Sequence, residues 1–315
     1  MSEAINVPQE VKGLYTRYPF PGPGLETEVV ENFRRALAFL RVSPDELRNA
    51  SALDAGCGTG IVAAYLASRC KDVKALDLTS ASLEMAKERA ERGGFLNIEF
   101  RLGSVFDLPF PEQKFDLVLS RGVLHHTEDA YRGFCRIASA LRPGGRIIVS
   151  LYHRYGRLRH RLRRARVARI AGEDIERRVE TAERLYFLGT PDSEKERIRS
   201  LISDQYAHPH ETYHTGGQVM RWFRENGIEY ASSYYPIHPT EYFQLEEALF
   251  PEEALQRSGK HRAARAVLRG MKAARIDKAM ALLGGGGALG RTMMELSWFF
   301  FNIQYFYMTG IKKGD

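Results

Sequence analysis

The chain predicts an α/β fold built on a doubly wound parallel sheet. Three observations lead there. From Ala52 to Tyr152, short apolar runs of strand length alternate with amphipathic stretches of helical period. The first run, Ala52-Leu53-Asp54, enters the turn Ala55-Gly56-Cys57-Gly58-Thr59-Gly60, with glycine at alternate positions. Such a turn leaves main-chain N–H groups open to a ligand at the N-terminus of the helix that follows, Ile61 to Ser68. An acid, Asp77, closes the second run about 20 residues beyond the turn, where a carboxylate offers two acceptor oxygens to a pair of hydroxyls. Ligands of sheets wound this way sit at the carboxyl ends of the strands, near the point where strand order reverses.

Ahead of the sheet, Val11 to Tyr18 reads as a short helix ended by Pro19-Phe20-Pro21-Gly22-Pro23-Gly24, with Tyr15 and Tyr18 on one face. A helix from about Thr27 to Leu40 carries Val30, Phe33, Leu37 and Leu40 as a stripe. Ser43 with Glu46 three residues on, and Pro44 between, marks a further helix start. The strands are expected at Ser51–Asp54, Val73–Asp77, Ile98–Leu102, Phe115–Ser120 and Arg146–Tyr152. Between them fall the helices Ser80–Arg92, closed by Gly93-Gly94, and Asp129–Leu141, stopped by Pro143-Gly144-Gly145. Residues 153–215 break the alternation, which resumes with a helix from Gly217 to Asn226 and a strand from Ile228 to Tyr235. A second insertion runs from Pro236 to about Gly290 and holds a basic helix with Arg262, Arg265, Arg269 and Lys272. The aromatic tail, Met293 to Met308, is interrupted by Glu295, Asn302 and Gln304 and is expected to be a helix and a last strand rather than a membrane element. The resulting organisation is an N-terminal helical cap, 1–44, and a main domain, 45–315, with helical insertions at 153–215 and 236–290.

Composition narrows the function classes. With 315 residues, 44% of them hydrophobic, the chain can bury a full core. Cys57, Cys70 and Cys135 are too few and too scattered for a disulfide framework or a zinc site, and a reducing, cytoplasmic setting is expected. The N-terminus shows no secretory signal. The net charge of +7 is local: eight arginines, at 154, 157, 159, 161, 163, 164, 166 and 169, exceed it, so the remainder is close to neutral. Tyr155, Leu158, Leu162, Ala165 and Ala168 are expected to form the packed face of this segment, with the arginines opposite.

At Asp54 to Gly60 the sequence resembles the class I S-adenosylmethionine-dependent methyltransferase family, whose first motif is similar to D-x-G-x-G-x-G. Asp77, Leu108-Pro109-Phe110, Val123-Leu124-His125-His126 and Leu141-Arg142-Pro143-Gly144-Gly145 follow in the family's order, and the resemblance covers roughly residues 45–152. It implies a Rossmann-like seven-stranded sheet with an antiparallel last strand, and S-adenosylmethionine as cofactor. Asp54, Gly56, Gly58 and Gly60 would then meet the methionine part, and Asp77 with Leu78 the ribose. Where the family has Gly-Asp after the third strand this chain has Gly103-Ser104-Val105, leaving Ser104, Val105 or a backbone carbonyl to meet the adenine. Arg121 would stand beside the sulfonium, and Tyr15 and Tyr18 would belong to a cap over it.

On the acceptor side, His125 and His126 follow the fourth strand and, with Tyr15, are the candidate catalytic residues; an imidazole of ordinary pKa suits proton removal. Tyr18, Tyr206, His210 and His214 are candidate acceptor contacts, since an insertion after the fifth strand lies over the catalytic end of the sheet. Pro209 disrupts any helix through His208, His210, Glu211 and His214, so no metal is expected there. The motif set is similar to the subgroup of quinone and sterol methyltransferases, which implies a small-molecule or lipid-like acceptor. Arg154–Arg169 could then contact an anionic membrane surface, with the protein cytoplasmic and peripheral. The sequence after the fourth strand, Ser120-Arg121-Gly122-Val123, lacks the Asn/Asp-Pro-Pro-Tyr of amino-methyltransferases, and no cysteine stands where cytosine C5 chemistry needs one. An RNA methyltransferase using the arginines on phosphates is the alternative, disfavoured by the absence of an RNA-binding module; a non-catalytic cofactor-binding assembly protein is the other.

Overall fold

One seven-stranded sheet organises the computed structural model, which describes residues 7–110, 114–235 and 304–314. Its strands are β1 (Ser51–Ala55), β2 (Asp72–Asp77), β3 (Ile98–Leu102), β4 (Phe115–Arg121), β5 (Leu141–Tyr152), β6 (Ile228–Tyr234) and β7 (Tyr305–Lys312). Their order is β3-β2-β1-β4-β5-β7-β6. β7 runs antiparallel to β5 and β6, and the other neighbouring pairs are parallel. The order reverses between β1 and β4, so a crevice opens past the carboxyl ends of those two strands.

Side-chain alternation covers both faces of the sheet. In β5, Ile147, Val149 and Leu151 point to one core with Phe134, Ile137, Trp222 and Phe223, whereas Ile148 points to the other with Phe33, Leu37, Val62 and Leu66. The first core is closed by α6 (Ala130–Ser139) and α10 (Gly216–Glu225), the second by α2 (Glu26–Phe39), α3 (Pro44–Arg48) and α4 (Ile61–Ala67). The capping box predicted at Ser43 and Glu46 forms. α2 and α3 pack into the sheet's own core, and α1 (Val7–Arg17), the turn to Leu25 and Glu28, Val29 and Asn32 of α2 border the crevice.

Two local features differ from the sequence reading. β5 starts at Leu141, not Arg146: Leu141 already pairs with Phe115, and a register shift before Leu117 takes up Pro143-Gly144-Gly145 as a bulge, with Gly144 at φ +75°. The arginine segment forms α7 (Leu158–Ala171), but it packs the other way round. Leu158, Leu162 and Ala165 are exposed, while His160, Val167, Ala171 and the preceding Arg157 are buried. Polar partners in the same insertion cause this, because Arg157 and Arg164 both reach Glu211 and His160 reaches the Gln205 carbonyl. The insertion continues through α8 (Ile175–Tyr186), α9 (Asp192–Ile202) and a π-turn at Ser203–Ala207. The remaining helix, α5 (Ser80–Arg92), covers the sheet beside β2 and β3. The second insertion and the helix expected in the aromatic tail lie outside the described residues. Among the described residues no helix is long and apolar enough to cross a membrane.

Candidate active site

A cavity of about 800 Å3 occupies the crevice, floored by the ends of β1, β2, β4 and β5 and roofed by α1. Its size lies toward the upper end of the roughly 300–1,000 Å3 of small-ligand sites.

One end is the glycine turn. The Gly56 and Cys57 N–H groups donate to the Leu76 carbonyl, and the Gly58 N–H donates to Asp77 Oδ2 at 2.9 Å. Thr79 donates to Asp77 Oδ1 through both its N–H and its hydroxyl. Asp77 therefore braces the turn, and it lines the cavity with Leu78, Ser104 and Val105. Burial raises its pKa against these donors. Gly58 has φ +54°, and a Cβ there would meet the Phe20 carbonyl oxygen at 2.2 Å, so only glycine lets the cap come down on the turn. Thr59 completes that seam by donating its hydroxyl to the Pro21 carbonyl at 2.8 Å. Gly56 and Gly58 line the cavity; Gly60 does not, and its missing side chain instead makes room for Ala86 of α5.

Asp54, the penultimate residue of β1, lines the cavity. Its Oδ2 is buried with no hydrogen-bond partner among the described residues, and burial pushes its carboxyl up to about 7, against the pull of Arg121. Arg121 also lines the cavity and donates to Tyr307 of β7.

The other end is polar and centres on Asp204, from the π-turn. Tyr15 of the cap donates its hydroxyl to Asp204 Oδ1 at 2.7 Å, and Tyr152 at the end of β5 donates to Oδ2 at 3.1 Å. His126 Nδ1 lies 3.1 Å from the His210 carbonyl oxygen, so Nδ1 carries the proton and Nε2, 3.7 Å from Asp204 Oδ1, keeps its lone pair. Burial drives His126 down to about 4 and raises Asp204 above the usual carboxylate range. His125 lies on the Tyr152 ring at 3.7 Å between centroids, and neither of its ring nitrogens has a partner among the described residues. Behind Tyr152, the Arg157 guanidinium covers the ring at 3.4 Å and pairs with Glu211, which also binds Arg164 at 2.7 Å.

The fold thus brings together Tyr15, His125 and His126, all on the cavity wall. It places Tyr18, Tyr206, His210 and His214 off that wall. Tyr18 donates to Glu176, and Tyr206 is buried against Tyr186 and His160. His210 contributes only its carbonyl to His126, and His214 packs on Trp222 and meets the Thr212 hydroxyl. Asp204, Tyr152 and Arg157 were not picked out from the sequence. The one signal for Asp204 was an acid at the start of the aromatic, histidine-rich end of the insertion; the wider π-turn then aims Asp204 and Gln205 inward and Tyr206 away.

Sheet order, glycine turn and cavity agree with the Rossmann-like seven-stranded fold that the sequence resemblance implies. Residues 53–149 match the family described as "Methyltransferase domain". An uncharacterized protein of Synechococcus sp. is 30% identical over 249 residues, covering 71% of this chain and 60% of that protein. A ubiquinone biosynthesis O-methyltransferase of Methylocella silvestris is 37% identical over 115 residues, covering 36% of this chain and 44% of that one. The chain therefore spans less than two thirds of these relatives' lengths. Among solved structures, PKMT2 from Rickettsia typhi superposes with a TM-score of 0.55 at 17% identity, over 97% of this chain and 52% of that one.

Proposed function

We propose that the protein is an S-adenosylmethionine-dependent methyltransferase acting on a small-molecule or lipid-like acceptor. The observation that carries this reading is one cavity with two unlike ends. A glycine turn braced by Asp77, with the orphaned Asp54 carboxylate beside it, faces a polar cluster around Asp204. Relatives named ubiquinone biosynthesis O-methyltransferase and demethylmenaquinone methyltransferase support a small acceptor.

The residues at the first end suit the cofactor. Asp54 Oδ2 is an unfilled acceptor for its ammonium group, and the Gly56–Gly58 backbone leaves room for the chain that bears it. Asp77 Oδ2, which accepts the Gly58 N–H, retains a lone-pair direction for a ribose hydroxyl, whereas Oδ1 already takes both Thr79 donors. Ser104 and Val105 would flank the adenine, and Arg121 the sulfonium end. When bound, the cofactor supplies a methyl group already activated on sulfur. The chain's own work is to align the acceptor, exclude water and take a proton where the acceptor carries one. Asp204 is the candidate base of its cluster: it is a carboxylate on the cavity wall whose pKa burial raises, while burial lowers that of His126 to about 4. Tyr15 holds Asp204 in place and closes the roof.

Calorimetric titration with S-adenosylhomocysteine tests the reading. Saturable binding that Asp77→Ala weakens strongly is expected; no heat from the folded parent protein overturns it.

A further inference from the structure

We infer that α7 is a docking surface for an anionic lipid bilayer. At 100° per residue, His160, Arg164, Val167 and Ala171 form its inner face. Directly opposite lie Leu158, Leu162, Ala165 and Arg169, with Arg159 and Arg166 on one flank and Arg161 on the other. Leu162 is 66% exposed and Leu158 40%, and Ile170 adds 50% further round. The helix therefore turns its polar anchors inward and its leucines outward. A helix that merely covers a core would do the reverse.

This outer face is the arrangement an interfacial helix needs: a central apolar strip that enters the headgroup boundary, and cations on both sides that reach the phosphates. The helix carries no acid. Two of its guanidiniums are held on aromatic faces, Arg161 over Tyr213 and Arg163 over Tyr186, so the positive field is fixed rather than diffuse. Charge complementarity selects an anionic surface, and the exposed leucines select a bilayer over a polynucleotide, whose phosphates give leucine nothing to bury against.

Location adds a consequence that rests on the proposed methyl transfer. Arg157 and the exposed Arg159 both line the cavity, so it reaches the surface beside the first turn of α7. A docked α7 would set that opening at the membrane, within reach of an amphiphilic acceptor dissolved in it.

The test is co-flotation of the full chain, without cofactor, on phosphatidylglycerol/phosphatidylcholine vesicles and on pure phosphatidylcholine vesicles. Binding to the first alone, weakening with salt, is expected. A cation near an anionic leaflet is worth about fivefold in partitioning. R166S/R169S should therefore lose about 25-fold, and Leu162→Ser should also weaken binding although it leaves the charge unchanged. Circular dichroism identifies any variant that fails to fold, and charge removal at Arg154 with Arg166 then replaces it. The proposal is overturned by equal binding to both vesicle types, by no binding, or by binding that none of these variants changes. RNA binding without vesicle binding overturns it as well and puts a polynucleotide on α7. Because no cofactor is present, flotation can fail while S-adenosylhomocysteine still binds, so the two proposals fall separately.

Discussion

Asp204 gathers hydrogen bonds from Tyr15 and Tyr152 and faces the free lone pair of His126, all inside the cavity. With an acceptor that loses a proton, Asp204→Asn should cut kcat by about 10²–10⁴ and leave S-adenosylhomocysteine affinity unchanged. Undiminished turnover would remove it from the chemistry. The base works ionised, and burial raises its pKa, so kcat/KM should climb with pH through a window displaced above the ordinary carboxylate range. Asp54 makes a separate pH prediction. Its carboxyl rises from 3.8 to about 7 on folding, so the folded state holds the proton more tightly. That contribution to stability is complete below the unfolded pKa and is lost as pH rises through about 7. Urea midpoints of the cofactor-free protein should fall across this window, and Asp54→Asn should flatten the fall.

For α7, the inner and outer faces predict opposite mutational behaviour. Glu211 is the buried partner of both Arg157 and Arg164, each side chain of the Arg157 pair being 2% exposed. Glu211→Ala strands these cations and should cost about 3–5 kcal/mol, read as a lower urea midpoint at unchanged slope. Leu162→Ser should change stability by no more than about 0.5 kcal/mol. A large loss there would mean that Leu162 is packed. The same contrast explains why the apolar positions of this segment misled: periodicity marks a face but not which way it turns. Here ion pairs with a residue some fifty positions away decide that. The apolar runs of β4 and β5 lie where the sequence puts them apart from the Pro143-Gly144-Gly145 bulge.

Across the whole molecule the cap ties the two ends of the cavity together. Thr59 and Pro21 join it to the glycine turn, Tyr15 to Asp204, Tyr18 to Glu176, and the Gly22 N–H to the Ser200 hydroxyl. Ligand binding at the turn should therefore slow amide exchange in α1 and in Ser203–Ala207 together, measured by mass spectrometry. Protection confined to residues 54–60 would show that the ends are uncoupled. Gly58→Ala should loosen the same assembly, because its Cβ and the Phe20 carbonyl cannot share the space.

The sequence by itself determined the sheet and the ligand-facing turn. Both are written in short-range patterns: short apolar runs of strand length, glycines at alternate positions, an acid at a strand end. His125 and His126 were candidates because they follow the fourth strand, and Tyr15 because it stands on the short helix read ahead of the sheet. Only the tertiary structure decided the Asp204 cluster, the inward turn of Arg157 and the separation of Tyr18, Tyr206, His210 and His214 from the cavity. Those outcomes depend on how an irregular insertion folds back on the sheet, and there buried charge and hydrogen-bond partners, distant in sequence, outweigh local periodicity.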